Sequence, residues 1–134
     1  MSKFRIYLKL YARKVRFELV VWFMNGWSSP APSAVKRNVF KRHYLQDGIW
    51  IESGTYLGET AKYLAKKTNA KYVYSLEPSF ELYKFSSQRL KRIRNLEIIN
   101  ASSEVGLENI VDQIEGKVND QTIVILTKFV RKSV

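Results

Sequence analysis

From Ile49 to Leu126 the chain alternates short apolar runs with longer amphipathic segments, and this alternation limits its folds more than any other feature. Strands are expected at Ile49 to Ser53, Tyr72 to Glu77, Leu96 to Asn100 and Thr122 to Leu126. Between them the patterning predicts helices at Glu59 to Lys67, Phe80 to Ile93 and Glu104 to Ile114. Strands of Ile, Val, Leu, Trp and Tyr joined through helices must run parallel. Their right-handed crossovers place helices on both faces of the sheet. The expected class is α/β: a Rossmann-like partial parallel sheet preceded by N-terminal helices.

With 134 residues, 46% of them hydrophobic, the chain can bury one real core and not two. The expected division is 1–46, an N-terminal basic helix, Pro-rich loop and short helix, followed by 47–134, a Rossmann-like half-domain. The chain has no cysteine, which excludes disulfides, thiolate metal sites and cysteine nucleophiles. A single histidine, His43, leaves no cluster for zinc, and no metal is expected. Leu19 to Met24 is far shorter than the ~20 apolar residues of a membrane span, and no cleavage site follows a signal core. No transmembrane helix is expected, and a reducing cytoplasm is the compatible location.

The net charge of +11 is concentrated at one end. Residues 1–46 hold ten Lys/Arg against one acid, Glu18, whereas residues 47–134 hold thirteen against eleven. Arg5, Lys9, Arg13 and Arg16 recur at helical steps, with Phe4, Tyr7, Leu8, Tyr11, Val15, Leu19 and Trp22 on another face. A basic amphipathic helix over residues 3–24 follows. Such a helix caps a core with its apolar stripe, lies on an anionic membrane or touches nucleic acid. Core capping is the commonest use, membrane contact comes next, and no nucleic-acid partner is expected. Asn25-Gly26 suits a left-handed C-terminal cap, Pro30 and Pro32 impose a loop, and Ser33 is the expected N-cap of a second short helix.

The stretch Ile49-Trp-Ile-Glu52-Ser53-Gly54-Thr55-Tyr56-Leu-Gly58-Glu-Thr60 is a strand ending near a carboxylate and running through a two-glycine turn into a helix. That pattern makes a ligand-binding loop, since glycine permits sharp turns and a helix start favours an anionic group. In a parallel sheet, ligands sit beyond the carboxyl ends of the strands. The residues in position are Glu52 to Gly58, Glu77 to Ser79, Ala101 to Ser103, and Thr127 to Lys128. Glu77, nineteen residues beyond Gly58, is placed to accept hydrogen bonds from ribose hydroxyls, with a solvated or helix-capping carboxylate as the plainer reading.

Three ligands compete. A nucleoside triphosphate wants Lys-Ser/Thr after the last glycine, where this chain has Glu59-Thr60. A dinucleotide wants glycine where Tyr56 stands, which makes an NAD-type module the runner-up. S-adenosylmethionine fits better, because Glu52 can meet its positive groups while loop amides meet its carboxylate.

Glu52-Ser-Gly54-Thr-Tyr-Leu-Gly58-Glu-Thr60, Tyr74-Ser-Leu-Glu77-Pro78-Ser and Ile99-Asn-Ala-Ser102-Ser103-Glu resemble class I S-adenosylmethionine-dependent methyltransferases over roughly residues 25–126. More narrowly, the chain resembles the bacterial group whose loop reads Glu-Thr-Gly-Thr-Tyr-x-Gly, with Asn25 to Pro32 and Val35-Lys-Arg similar to its lead-in. The resemblance implies S-adenosylmethionine as methyl donor, held by Glu52, Ser53, Gly54, Thr55, Tyr56, Gly58, Glu77, Pro78, Ser102 and Ser103. Glu52 and Gly54 would serve its methionine part, Glu77 its ribose, and Ser102 the neighbourhood of adenine, where the group often has aspartate. It further implies methyl transfer to an oxygen of a small or saccharide-like acceptor.

The resemblance also implies seven strands, of which the sequence supplies four, and Thr127-Lys128-Phe-Val-Arg131-Lys132-Ser-Val carries no carboxylate to serve as base. The expectation is a truncated form that keeps mainly the donor pocket, transfers methyl groups poorly, and self-associates through the edge of strand four unless Lys128, Arg131 and Lys132 protect it. The rival class is a non-catalytic peripheral-membrane or adaptor protein acting through its basic helix. His43 reads as a helix-end residue, and the basic run Gln88 to Arg94 as a solvated helix C-terminus. Tyr56 either packs over a donor or fills the loop.

Overall fold

The computed structural model describes residues 3–27, 31–43, 46–115 and 123–127, and side chains from residue 10 to residue 114 within those spans. They fall into two compact units, one ending at His43 and the other beginning beyond it.

The first unit holds α1 (Lys3–Met24) and α2 (Ser33–Arg42). α1 stops as Asn25-Gly26 predicts. Gly26 takes φ +61°, its N–H donates to Phe23 O (3.0 Å), and Trp27 N–H reaches back to Trp22 O (2.9 Å). That pair of bonds is a Schellman cap, sealed by an edge-on contact between the Trp22 and Trp27 rings at 4.9 Å. The start of α2 differs from expectation. Ser33 is its first helical residue and Pro32 its N-cap, with no capping side chain of its own. Glu18 of α1 does that work, its Oε2 accepting from Ser33 N–H at 3.0 Å. The one acid of residues 1–46 is therefore spent on the positive end of α2. His43 is the C-cap of α2, its N–H donating to Val39 O, in keeping with its helix-end reading.

The second unit is a parallel sheet of β1 (Ile49–Ser53), β2 (Tyr72–Leu76), β3 (Leu96–Ile99) and β4 (Ile123–Thr127), in the order β3-β2-β1-β4. The connecting helices are α3 (Glu59–Lys67), α4 (Phe80–Leu90) and α5 (Ser103–Glu115). β1 and α3 match the sequence limits, and the other elements move by one to three residues. β2 and β3 stop one residue short of Glu77 and Asn100, with Glu77 N–H still donating to Ile99 O (2.9 Å). α4 ends at Leu90 rather than Ile93, where Ile93 N–H closes a tight turn on Leu90 O (3.0 Å).

β1 is central and wholly buried, paired with β2 in the register Glu52↔Ser75 and with β4 in the register Glu52↔Leu126. Residues alternate across it. Ile49 and Ile51 join Leu76, Ile110 and Ile114 in a core under α5, while Trp50, Glu52, Val73 and Ser75 share the opposite face. The chain moves outward from β1 to β3 and then returns to the far side of β1. Right-handed crossovers therefore put α5 on one face and α3 and α4 on the other. The reversal between β1 and β4 is the crevice where open α/β sheets bind ligands. Among the described residues β4 pairs with β1 alone, and Lys128, Arg131 and Lys132 lie outside them.

One packing contact was not foreseen. A Cβ on Gly106 of α5 would stand 2.5 and 2.9 Å from the Leu76 methyls and 3.2 Å from Ala101 Cβ. Leu76 is fully buried, so its methyls have nowhere to go. Gly106→Ala should lower stability by about 1 to 2 kcal/mol in urea unfolding, because overpacking outweighs the roughly 1 kcal/mol of helix propensity gained. An unchanged or raised midpoint would mean that α5 does not approach β2 so closely.

Candidate functional site

The carboxyl ends of β1, β2 and β3 are tied into one rim by side-chain hydrogen bonds. Glu77, just past β2 and 4% exposed, is the knot. Its Oε2 accepts from Tyr56 N–H at 2.7 Å and its Oε1 from Ser79 N–H at 3.0 Å. One carboxylate thus fixes the loop after β1 and the start of α4, whose N-cap is Ser79. Asn100, just past β3, donates Nδ2–H to the Glu77 carbonyl (2.8 Å) and the Pro78 carbonyl (3.2 Å). Ser53, at the end of β1, shares a hydroxyl hydrogen bond with Ser103, the first residue of α5.

Below the loop lies a buried polar chain. Thr55 Oγ1 and Ser75 Oγ are 2.6 Å apart, and Ser75 donates to Glu52 Oε2 at 2.7 Å. Glu52 is 0% exposed, and its carboxylate lies inside the sheet against Ser75. The price of burying it is met partly by Ser75, directly in register on β2.

The loop amides are bonded within the protein. Gly54 and Thr55 N–H both donate to Leu76 O (2.8 and 3.0 Å), Tyr56 N–H to Glu77, and Gly58 N–H to Thr55 O (2.9 Å). These four groups hold the loop's own shape and are not reserved for a ligand carboxylate. Gly54 and Gly58 take φ +85° and +79°, the left-handed region where glycine carries no steric penalty. The space beside Gly58 is filled by protein, since a Cβ there would lie 2.5 Å from Leu90 Cδ1. Its lack of a side chain serves α3–α4 packing as well as the turn. Tyr56 takes φ +53°, uncommon for a bulky residue, with its ring largely exposed. Ser102 engages through its backbone, its carbonyl accepting from Gly106 N–H at 2.9 Å.

Sequence reasoning missed four residues that build this rim. Ser75 and Asn100 are its polar ties, and Gly106 seats α5. Arg89 of α4 clamps the loop from outside, donating to Leu57 O (2.6 Å) and pairing with Glu59. That pairing neutralises the acid at the start of α3, a helix with no capping side chain at its N-terminus. The signal was legible for Ser75, a small hydroxyl among Tyr, Val and Leu in a strand beside one carrying a carboxylate. For Arg89 it was hidden in a basic run. Among the described residues no cluster of acids and histidines could hold a metal ion.

No protein-family model matches this sequence, and no curated protein matches it. Among solved structures the chain is similar to PRMT6, with TM-score 0.52 and 18% identity over 63% of this chain and 27% of that one. The fold is Rossmann-like. Two further structures align less closely. One is an rRNA methylase from Streptococcus thermophilus, with TM-score 0.49, 23% identity, and 62% and 50% of the two chains covered. The other is a SAM dependent methyltransferase from Aquifex aeolicus, with TM-score 0.45, 20% identity, and 49% and 37% covered. The chain thus spans half or less of the length of these three proteins.

Ser75→Ala should lower stability by about 1.5 to 3 kcal/mol, because a buried carboxylate loses a hydroxyl donor. Ser86→Ala is the comparison. Ser86 is equally buried but donates to a carbonyl of its own helix, Leu82 O (2.7 Å), so about 1 kcal/mol or less is expected. Equal losses in urea unfolding would show that the Glu52 partnership carries no special weight.

Proposed function

We propose that the rim formed by residues 53–58, 77–79 and 100–103 binds S-adenosylmethionine, and that the chain serves a methyltransferase. The observation that carries this reading is the hydrogen-bonded union of the glycine loop with Glu77 beside the β1/β4 reversal. Each Glu77 oxygen uses one lone pair on a backbone N–H and keeps another, which a ribose diol can take. Gly54, Tyr56, Pro78, Ser102 and Ser103 border the same rim, while Glu52, Ser53, Thr55 and Gly58 support the loop from beneath or beside it. The donor's carboxylate, not served by the loop amides, fits the start of α3, where Arg89 offsets Glu59. The sequence resemblance supports the same ligand.

An NAD-type module is the weaker reading. Tyr56 projects where a pyrophosphate would need a bare backbone, and Glu59 opens the following helix. When bound, S-adenosylmethionine supplies an electrophilic methyl group on sulfonium. The protein's own residues bind and orient it. The acceptor, on the resemblance, is a hydroxyl of a small or saccharide-like molecule.

Calorimetry with S-adenosylmethionine, its demethylated product and NAD tests the proposal. The two sulfur nucleosides should bind and NAD should bind more weakly. Glu77→Ala should weaken binding by roughly 1.5 to 3 kcal/mol, about 10- to 150-fold, as expected for a lost charge-assisted hydrogen bond. The comparison is to be made on protein whose melting transition is retained, since Glu77 also holds two backbone amides. No heat and no thermal shift with either nucleoside, in folded protein, would overturn it.

A further inference from the structure

α1 carries two apolar faces, and among the described residues of the helical unit only one of them has a partner. Toward α2 it turns Glu18, which caps that helix, and Tyr11, whose hydroxyl accepts from Arg37 (3.4 Å). Val15 and Trp22 lie half-buried on the same side. Tyr11, Val15 and Trp22 belong to the stripe read from the sequence. On the opposite side stand Leu10, Phe17, Val20, Val21 and Met24, of which Phe17 is 69% and Met24 77% exposed. At 100° per residue these five fall within an arc of about 100°, a continuous second stripe along the helix.

The charges around that stripe name its occupant. Arg13 falls within its arc and Arg16 on one border, while Lys14 on the other border pairs with Glu18 (3.8 Å). No acid falls within the arc, and Glu18, the one acid of α1, divides its oxygens between Ser33 of α2 and Lys14. Trp27 and Phe23, both well exposed, close the C-terminal end as aromatic groups suited to a water–lipid boundary. A second copy of this face would bring cation against cation. A nucleic acid would answer the charge and leave Phe17 and Met24 in water. No helix among the described residues is long and apolar enough to cross a membrane.

We infer that the second stripe of α1 docks the chain onto an anionic lipid surface, with α1 lying in the interfacial plane and its basic borders among the headgroups. The inference is independent of the donor site.

The test is co-sedimentation of the full chain with vesicles of phosphatidylcholine alone and of phosphatidylcholine mixed equally with phosphatidylglycerol. Binding is expected only to the anionic vesicles and should weaken as salt rises. Arg13→Gln with Arg16→Gln should weaken it roughly 25-fold, at about fivefold per basic residue near the surface. Phe17→Ser with Met24→Ser should abolish it while leaving the melting temperature unchanged, since both side chains are already exposed. Three results would overturn the inference. One is equal binding to neutral vesicles, and another is undiminished binding by the Phe17/Met24 variant. The third is vesicle binding absent while the chain instead dimerises through this face or retains an RNA duplex.

Discussion

The buried carboxylate of Glu77 governs the carboxyl end of this sheet. Glu77 stands where β2 stops, and its two oxygens accept backbone N–H groups from segments 21 and 2 residues away in sequence. The loop after β1 would otherwise have to hold a tyrosine in the left-handed region with its amide unpaired, at a cost of a few kcal/mol. With Glu77 in place, the strain at Tyr56 and the turn at Ser79 are met by one group. Arg89 from outside and the Thr55–Ser75–Glu52 chain from beneath complete the hold.

The rim is therefore built in advance of any ligand. Preorganisation lowers the ordering cost of binding, and it also decides which groups remain for a ligand to use. The loop amides are spent on the loop itself, as Gly54 and Thr55 show by sharing the Leu76 carbonyl. What remains is the outer lone pairs of Glu77, the uncapped start of α3 and the polar residues 100–103. That set suits a nucleoside with a carboxylate tail better than one with a pyrophosphate.

Much of the sheet unit was legible because its signals are local. β1 and α3 run where alternation and the glycine turn put them, and Gly26 caps α1 as its Asn-Gly pair implies. The place of Glu77 at the end of β2 was legible because the strand before it reads as a short apolar run. The rest depended on partners distant in sequence. Whether Glu52 faces a ligand or the sheet interior turns on its register with Ser75, which no local pattern sets. The N-cap of α2 was assigned to Ser33 because the capping group, Glu18, lies fifteen residues earlier on another helix. The second apolar stripe of α1 was overlooked because its residues interleave with the basic ones at helical spacing. It was the exposure of Phe17 and Met24 that separated the two faces.

The most direct measurement of the central claim is an amide NMR titration of the folded chain with the demethylated product of S-adenosylmethionine. If Glu77 receives the ribose, the amides of Tyr56 and Ser79, hydrogen-bonded to its two oxygens, should shift together, with Gly54 and the start of α3 following on the same binding curve. Saturable binding that moves amides elsewhere and leaves Tyr56 and Ser79 in place would contradict the account.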